Sequence, residues 1–520
     1  MRQATAFHPF TGCDLPWLVD RQAAQRPDKS FLIWESHAGP RQTLTYAQFA
    51  EETRAYAAGL AAKGVKKGDF IALHMDNCPE FLLLWYALSR IGAVTVTTNT
   101  RSTSEELQYF IAHSGAKAAI TQPRYAALLQ AAGPRLDWIA CTATDCDAAP
   151  VAPLPSGLVA FDDLRGDPVL SSARAAEPML ANSVQYTSGT TSRPKGVVWT
   201  HANALWGGRV TASHARLTDA DVHLVHFPLF HTNAICYSVL ATLWSGGTVV
   251  LTPKFSAGRF WDIAARNRCT WANVVMFTLR ALEAQPDPPR HWFRFWAGVG
   301  DLALPRDRWG IKTNGWFGMT ETVSQCIVTD PDMIAPEGSM GWPAQEYEIA
   351  IRREDGTEVS FGETGRLWIR GVRGVSLFES YLNDAAATAA AFDADGWFDT
   401  GDEVRPTAEG PIFFVSRAKD MLRVGAENVA AVEIETVIAR VPGVVEVAVV
   451  GKPDRMLDEI PVAFVVATAA GPVLASLIHA TCDEALADFK RPREIIFVEA
   501  LPKGLLDKTL KKELRARLSG

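Results

Sequence analysis

The sequence predicts a multidomain α/β protein, in which a large N-terminal domain of layered α/β subdomains plus a β-rich subdomain precedes a small α+β C-terminal domain. Three observations carry this. A chain of 520 residues is too long for one hydrophobic core. Helical and strand periodicities alternate from Leu44 to Gln122. After Ser360 the texture changes to short β runs punctuated by glycines, and a charged stretch near Lys419 then opens a self-contained unit.

Taken in order, Tyr46 to Lys63 has helical spacing, Gly64 to Asp69 turns, Phe70 to Met75 is a short apolar strand and Pro79 to Ile91 is helical again. Gly92 to Thr98 is β-rich, Ser104 to Ser114 reads as a helix opened by a serine cap, and Ala116 to Thr121 is a further strand. Asp145 to Asp167 reads as a surface connection leading to a strand around Ser183 to Tyr186. Gly365 to Arg370 and Gly410 to Ser416 are the β runs of the later subdomain. The last unit reads as helix Val432 to Ala439, strands Val444 to Val450 and Val462 to Ala467, helix Leu474 to Asp488, strand Glu494 to Val498 and a basic tail. The expected domains are 1–418 and 419–520.

Composition excludes several classes. With 51 basic and 58 acidic residues the net charge is −7, so bulk charge does not favour nucleic acid as a partner. The most apolar run, Phe81 to Leu88, is too short to span a bilayer, so no transmembrane segment is expected. Eight cysteines are scattered without a C-x-x-C pair, the pattern of reduced thiols in a cytoplasmic protein.

The run Thr187, Ser188, Gly189, Thr190, Thr191, Ser192, Arg193, Pro194, Lys195 and Gly196 follows a predicted strand. Hydroxyls and unencumbered backbone N–H groups at this density can cradle phosphate oxygens, with Lys195 and Arg193 adding charge; in isolation the same run also reads as a flexible linker. It is not a Walker loop, because Pro194 stands where the second glycine would be. Further along come GWFGMTET (Gly315 to Thr322), GWFDTGD (Gly396 to Asp402), SRAKDMLRVGAENVAAVEIE (Ser416 to Glu435) and LPKGLLDKTLKKELR (Leu501 to Arg515).

Together and in this order the five segments resemble the adenylate-forming superfamily of acyl-CoA synthetases, with TSGTTSRPKG closest in form to its carnitine and crotonobetaine CoA-ligase branch. The resemblance implies an ATP-dependent acid:CoA ligase that makes acyl-AMP and passes the acyl group to coenzyme A, using Mg²⁺. It implies nucleotide contacts from Thr187 through Thr191, from Lys195, from Gly315, Trp316, Phe317, Gly318, Met319 and Thr320, and from Asp402, Arg417 and Lys508. Glu321 is then the metal carboxylate, since one carboxylate plus substrate phosphates is a common way to hold Mg²⁺. Thr187 and Glu321 join Lys508 as catalytic candidates, Lys508 stabilising charge on the α-phosphate. His231, Thr232, Asn233, Gly298 and Val299 are implied in the acyl pocket, Lys419 as the hinge, and Gly425 with Ala426 along the coenzyme A channel.

Each implied role has a plainer competitor. Phe317 can be core, Asp402 can cap a Thr-Gly-Asp turn, and a lone His231 can be structural. His201 and Asn203 read as helix capping, and Trp292, Trp296, Trp309 and Trp316 as packing more than as a substrate wall. Ser192, Ala426 and Asp507 each replace a glycine of the family pattern. Ala426 and Asp507 motivate an adenylation-only ligase or a nucleotide-binding pseudoenzyme as alternatives. The region after His231 lacks the aspartate that would pair with an amino-acid substrate. The identity of the carboxylic acid and the oligomeric state, a homodimer among the options, are not written in the chain.

Overall fold

A computed structural model describes residues 8–145, 154, 156–187, 193–298, 300, 302–417, 421–425, 427–502 and 509–518, without the side chains of Ser416, Arg417 and Lys512. Among the described residues the strands form four sheets. In one, Lys312–Asn314, Phe295–Ala297, Trp271–Asn273, Val222–Val225, Thr248–Leu251 and Ser30–Trp34 run parallel, and Gln42–Thr45 closes the edge antiparallel. In the second, Ala181–Thr187, Val94–Thr97, Phe70–His74, Ala118–Thr121, Ile139–Cys141 and Val159–Ala160 are parallel neighbours, and all but the last are mostly buried. Lys195–Thr200 folds back antiparallel on Ala181–Thr187, and Ser380–Tyr381 is added outside it.

Local chemistry explains the helices between the strands. Tyr46–Ala62 opens on a reciprocal Thr45/Gln48 capping box, and Pro79–Ile91 begins with the proline that a first turn tolerates. Ser104–Ser114 has the expected extent, but its cap is Thr103, not Ser104: Thr103 Oγ1 accepts from Glu106 N, and Glu106 Oε2 accepts from Thr103 N at 2.8 Å. Asn203 performs the capping expected of it, as the third residue of a box with Thr200.

The third sheet is antiparallel throughout: Trp316–Phe317, Ile327–Val328, Ser339–Pro343, Ile412–Arg417, Trp397–Pro406, Gly365–Arg370 and Glu348–Arg352. The β-rich subdomain therefore begins at Trp316 and not after Ser360, because the strands that start it are only two residues long and carry no readable alternation. A short strand and a 3₁₀ turn, Val159–Ala160 and Phe161–Leu164, interrupt the expected Asp145 to Asp167 connection.

The fourth sheet belongs to the C-terminal unit: a hairpin of Met421–Val424 and Glu427–Ala430, the long antiparallel pair Val444–Asp454 and Asp458–Ala467, and Glu494–Phe497 parallel to the latter. Helices Ala431–Ile438 and Pro472–Ala485 cover it, and the basic tail is helical over Lys511–Leu518. Its core, including Leu422, Val429, Ile434, Val465 and Ile478, is separate from that of the large domain.

No disulfide joins the described cysteines, and Cys13 is the partly exposed one. Burial pushes the thiols up, Cys141 and Cys482 to about 11, and Cys236, Cys269 and Cys326 further still. Trp296 and Trp309 pack against Trp261 in an aromatic cluster, which settles them as core.

Candidate active site

The phosphate-loop segment lies in the turn between two antiparallel strands. Thr187 ends Ala181–Thr187 opposite Lys195, so the chain leaves and returns at the same end of this strand pair. Ser188, Gly189, Thr190 and Thr191 lie outside the described residues. On the returning side the Arg193 guanidinium sits 5.1 Å from the Tyr109 ring centroid, and the Tyr109 hydroxyl donates to Pro194 O at 3.0 Å. Lys195 Nζ stands 4.6 Å from the centre of the Tyr381 ring, whose hydroxyl donates to Glu321 Oε1 at 3.0 Å. One tyrosine thus connects the lysine of the phosphate loop to the candidate metal carboxylate.

Glu321 is 5% exposed on the 3₁₀ turn Thr320–Thr322. The next residue, Val323, is β-branched yet holds φ 62°, a strained conformation worth about 1–3 kcal/mol. Such strain persists where the surroundings impose it, and here Trp199 Nε1 fixes Thr320 O at 2.9 Å and Phe378 N fixes Glu321 O at 2.9 Å. Gly315 and Gly318 flank the aromatic pair Trp316–Phe317. A Cβ on Gly318 would stand 2.6 Å from the Tyr237 hydroxyl and 2.7 Å from Ser324 O, so the loop can lie here only with glycine. Phe317 is half-buried against the core, and its carbonyl accepts from Cys326 N. Met319 N donates to Thr322 Oγ1 at 2.9 Å.

Thr232 Oγ1 lies 2.8 Å from Gln185 Oε1 and 3.1 Å from Thr320 Oγ1, joining the expected acyl pocket to the nucleotide loop. Beyond it Asn233–Leu240 forms a π-helix, a form concentrated at functional sites. Gly207 lets this turn approach: a Cβ there would meet Cys236 Sγ at 2.2 Å. Asn273 Nδ2 donates to Asn233 Oδ1 at 2.8 Å and to Ser238 Oγ at 2.9 Å. Three buried polar atoms around this region, Gln185 Nε2, Tyr237 Oη and Asn273 Oδ1, have no hydrogen-bond partner among the described residues. Trp316 packs edge-on to Tyr237 at 6.3 Å. Gly298 follows Phe295–Ala297 at φ 109°, and Val299 lies outside the described residues.

Asp402 is fully buried, and it is in strand Trp397–Pro406, not in a turn. The turn-cap role falls to Asp399, whose Oδ1 accepts from Gly401 N at 2.9 Å while Arg366 pairs with both its oxygens. Asp402 instead faces Arg417 in register on the adjacent strand, bringing two expected nucleotide residues to one point. Its charge also helps raise the Cys326 thiol, behind burial as the main cause.

The C-terminal hairpin reaches into this site. Gly425 turns it at φ 65°, and on the next strand Glu427 Oε1 lies 3.1 Å from His231 Nε2 and accepts from Asn99 Nδ2 at 3.2 Å. Burial opposes charge on His231, but the Glu427 carboxylate outweighs it and raises the histidine above its ordinary range. Reciprocally, burial would raise Glu427, and His231 with Arg101 and Asn99 hold it below the usual carboxylate range. A raised histidine favours docking below its undocked pKa and releases it as pH rises through the docked value. A depressed carboxylate favours docking above its undocked pKa and releases it as pH falls through the docked value. The contact is therefore strongest between the two. We expect Glu427→Gln to drop the His231 pKa below its ordinary value, since burial then acts unopposed, as read by NMR titration of the ring protons; an unmoved titration would remove Glu427 as the cause.

Lys419, Ala426 and Lys508 lie outside the described residues, as does the side chain of Arg417. Gln185, Asn273, Tyr237, Tyr381, Asn99 and Glu427 were not foreseen as site residues. Glu427 sits inside a quoted motif, whereas the others carry no local signal. Among the described residues no group of three or more His, Cys, Asp or Glu side chains could hold a metal, and no helix is long and apolar enough to cross a membrane.

Comparison with known proteins agrees with this geometry. The AMP-binding enzyme profile matches residues 19–382, and the AMP-binding enzyme C-terminal domain profile matches residues 433–508. A crotonobetaine/carnitine–CoA ligase of Citrobacter koseri is 33% identical over 97% of this chain and 99% of its own length. An o-succinylbenzoate CoA synthetase double mutant from Bacillus subtilis, bound with its product analogue, superposes with a TM-score of 0.81 at 26% identity, over 96% of this chain and 98% of that one. The Bacillus subtilis enzyme in complex with AMP superposes at 0.67, with the same identity and coverage. A family profile over well more than half the sequence, and a relative one-third identical from end to end, establish that the chain belongs to the AMP-binding enzymes as an adenylate-forming acid:CoA ligase.

Proposed function

We propose that the chain activates a small polar carboxylic acid with ATP and transfers it to coenzyme A, with both half-reactions run at the seam between a domain 1–418 and a domain 419–520. The observation that carries this is the hairpin of the C-terminal unit seated on the acyl-site histidine through Glu427. That placement suits the transfer step, and the closer superposition on the product-analogue complex than on the AMP complex supports it.

In the first step the substrate carboxylate oxygen attacks the α-phosphorus and pyrophosphate leaves. The loop after Thr187 with Lys195 binds phosphate oxygens, Asp402 accepts from the ribose hydroxyls, Phe317 lies against adenine and Lys508 neutralises charge at the α-phosphate. Glu321 fits Mg²⁺: it is a single buried carboxylate with one oxygen fixed by Tyr381, and when bound beside ATP phosphates the ion would supply positive charge to the departing pyrophosphate. In the second step the C-terminal domain has turned about Lys419, and the coenzyme A thiolate attacks the acyl carbon past Gly425 and Ala426, releasing AMP. The unpartnered polar atoms of Gln185, Tyr237 and Asn273 favour a small polar acid over a long alkyl chain, since an alkyl chain would leave them unsatisfied. The relatives that act on crotonobetaine and carnitine point the same way. Mostly buried cysteines with no disulfide among the described residues fit a cytoplasmic location.

Pyrophosphate release from a panel of acids (carnitine, crotonobetaine, aromatic and medium-chain) in the presence of ATP, with and without coenzyme A, tests this. Turnover of a small polar acid to its thioester is the expected result; acyl-AMP with no thioester from any acid overturns the ligase reading. For the nucleotide site, Asp402→Ala should weaken ATP binding by about 1–3 kcal/mol. Calorimetric titration returning the parent affinity would leave Asp402 with a purely structural role.

A further inference from the structure

A second contact between the two units lies away from the reacting groups and has three buried charges. Lys490 Nζ is bonded to Glu106 Oε1 at 2.5 Å and to Glu433 Oε1 at 2.8 Å, each side chain being no more than about 10% exposed. Lys490 and Glu433 belong to the C-terminal unit, whereas Glu106 belongs to helix Ser104–Ser114 of the large domain. Burial opposes the lysine charge, but the two carboxylates outweigh it and raise Lys490 above its ordinary range. Around the triad the same surfaces meet through Arg101 with Asp488, Arg440 with Glu105, and Thr103 Oγ1 donating to Ala485 O.

The two carboxylates are placed differently in the chain. Glu433 stands in the first turn of Ala431–Ile438, the helix that directly continues the strand carrying Glu427. Fixing Glu433 therefore fixes the base of the hairpin that reaches His231. Glu106 has a second job at home, since its other oxygen accepts from Thr103 N in the capping box. When the C-terminal unit leaves, Glu106 keeps that bond and regains water, and Lys490 keeps Glu433. The contact can therefore open without stranding an unpaired charge in the large domain.

We propose that Lys490 is a positioning residue of the transfer half-reaction: through its bridge between Glu106 and Glu433 it holds the C-terminal unit in the arrangement that seats Glu427 on His231. The inference rests on the two-step reading above and adds a residue that touches neither substrate nor nucleotide. Its effect is expected in the transfer half-reaction, the one assigned to the arrangement that contains the bridge. The same helix carries Tyr109, whose hydroxyl bonds Pro194 O beside the phosphate loop, so the platform that Lys490 grips is rigidly tied to the site it serves.

The test uses Glu106→Gln and Lys490→Met in the full chain. Glu106→Gln removes the interdomain charge and keeps the cap, since glutamine serves equally at that position of a capping box. Two readouts are taken: single-turnover rates of acyl-AMP formation and of transfer from preformed acyl-AMP to coenzyme A, and the distance between fluorophores on cysteines placed at Val169 and Val473, which are 85% and 84% exposed on the two units. Both variants should slow transfer about tenfold or more, leave acyl-AMP formation within about twofold, and lower the population of the docked distance. Unchanged transfer, or equal loss of both steps with an unchanged distance distribution, overturns the proposal. If the parent protein makes no thioester, the two-step reading fails by itself, and the distance distribution of the variants still decides whether the bridge sets the arrangement.

Discussion

Lys508→Ala is expected to lower acyl-AMP formation about 10²–10³-fold and to leave transfer from supplied acyl-AMP unchanged, because the role proposed for its ammonium is confined to charge that develops as the α-phosphorus is attacked. The structure sharpens the second half of this expectation. In the observed arrangement the hairpin next to Gly425 meets the expected acyl pocket through Glu427, His231 and Asn99. Rapid-quench measurement of each half-reaction separates the two effects. Equal losses in both would show that Lys508 supports the fold of the C-terminal unit and not the first step.

Gly318→Ala should be nearly as damaging by a different route. The added Cβ meets the Tyr237 hydroxyl at 2.6 Å and Ser324 O at 2.7 Å, and the second is backbone that cannot swing away. The loop carrying Phe317, Thr320 and Glu321 must move, at a cost of about 1–3 kcal/mol in stability. A displacement on the order of 1 Å at reacting groups reduces rate by about 10²-fold. Thermal unfolding together with single-turnover adenylation reads both. Tyr237→Phe in the same background removes the closest clash but not the contact with Ser324 O, so it should recover only part of the loss; full recovery would place the whole constraint on the tyrosine.

What the sequence made legible follows from how locally each feature is encoded. Helices Pro79–Ile91 and Ser104–Ser114 were readable to the residue because their apolar spacing and turn residues are contiguous. Strands Phe70–His74 and Ala118–Thr121 were readable as short apolar runs. By contrast Ser30–Trp34 finds its place beside Thr248–Leu251, more than two hundred residues away, and no local pattern announces that pairing. The site divides in the same way. Motif residues such as Glu321 and Asp402 could be singled out by their family register, but Tyr381, Gln185 and Asn273 act through partners distant in the chain. Asp402 shows the limit within a motif: its Thr-Gly-Asp sequence suggests a turn, yet long-range pairing with Arg417 extends it into a strand and leaves the cap to Asp399.

The buried, high-pKa thiols have a consequence for an enzyme whose co-substrate is itself a thiol. Coenzyme A exists partly as its disulfide, and a protein thiolate near the acyl site would exchange with it and become trapped as a mixed disulfide. Cys236 on the π-helix and Cys326, whose thiol donates to Phe317 O, are both buried with their thiols pushed up by burial, which disfavours the thiolate that exchange requires. At the proposed acyl site, oxidised coenzyme A would therefore meet no ready thiolate from these two residues.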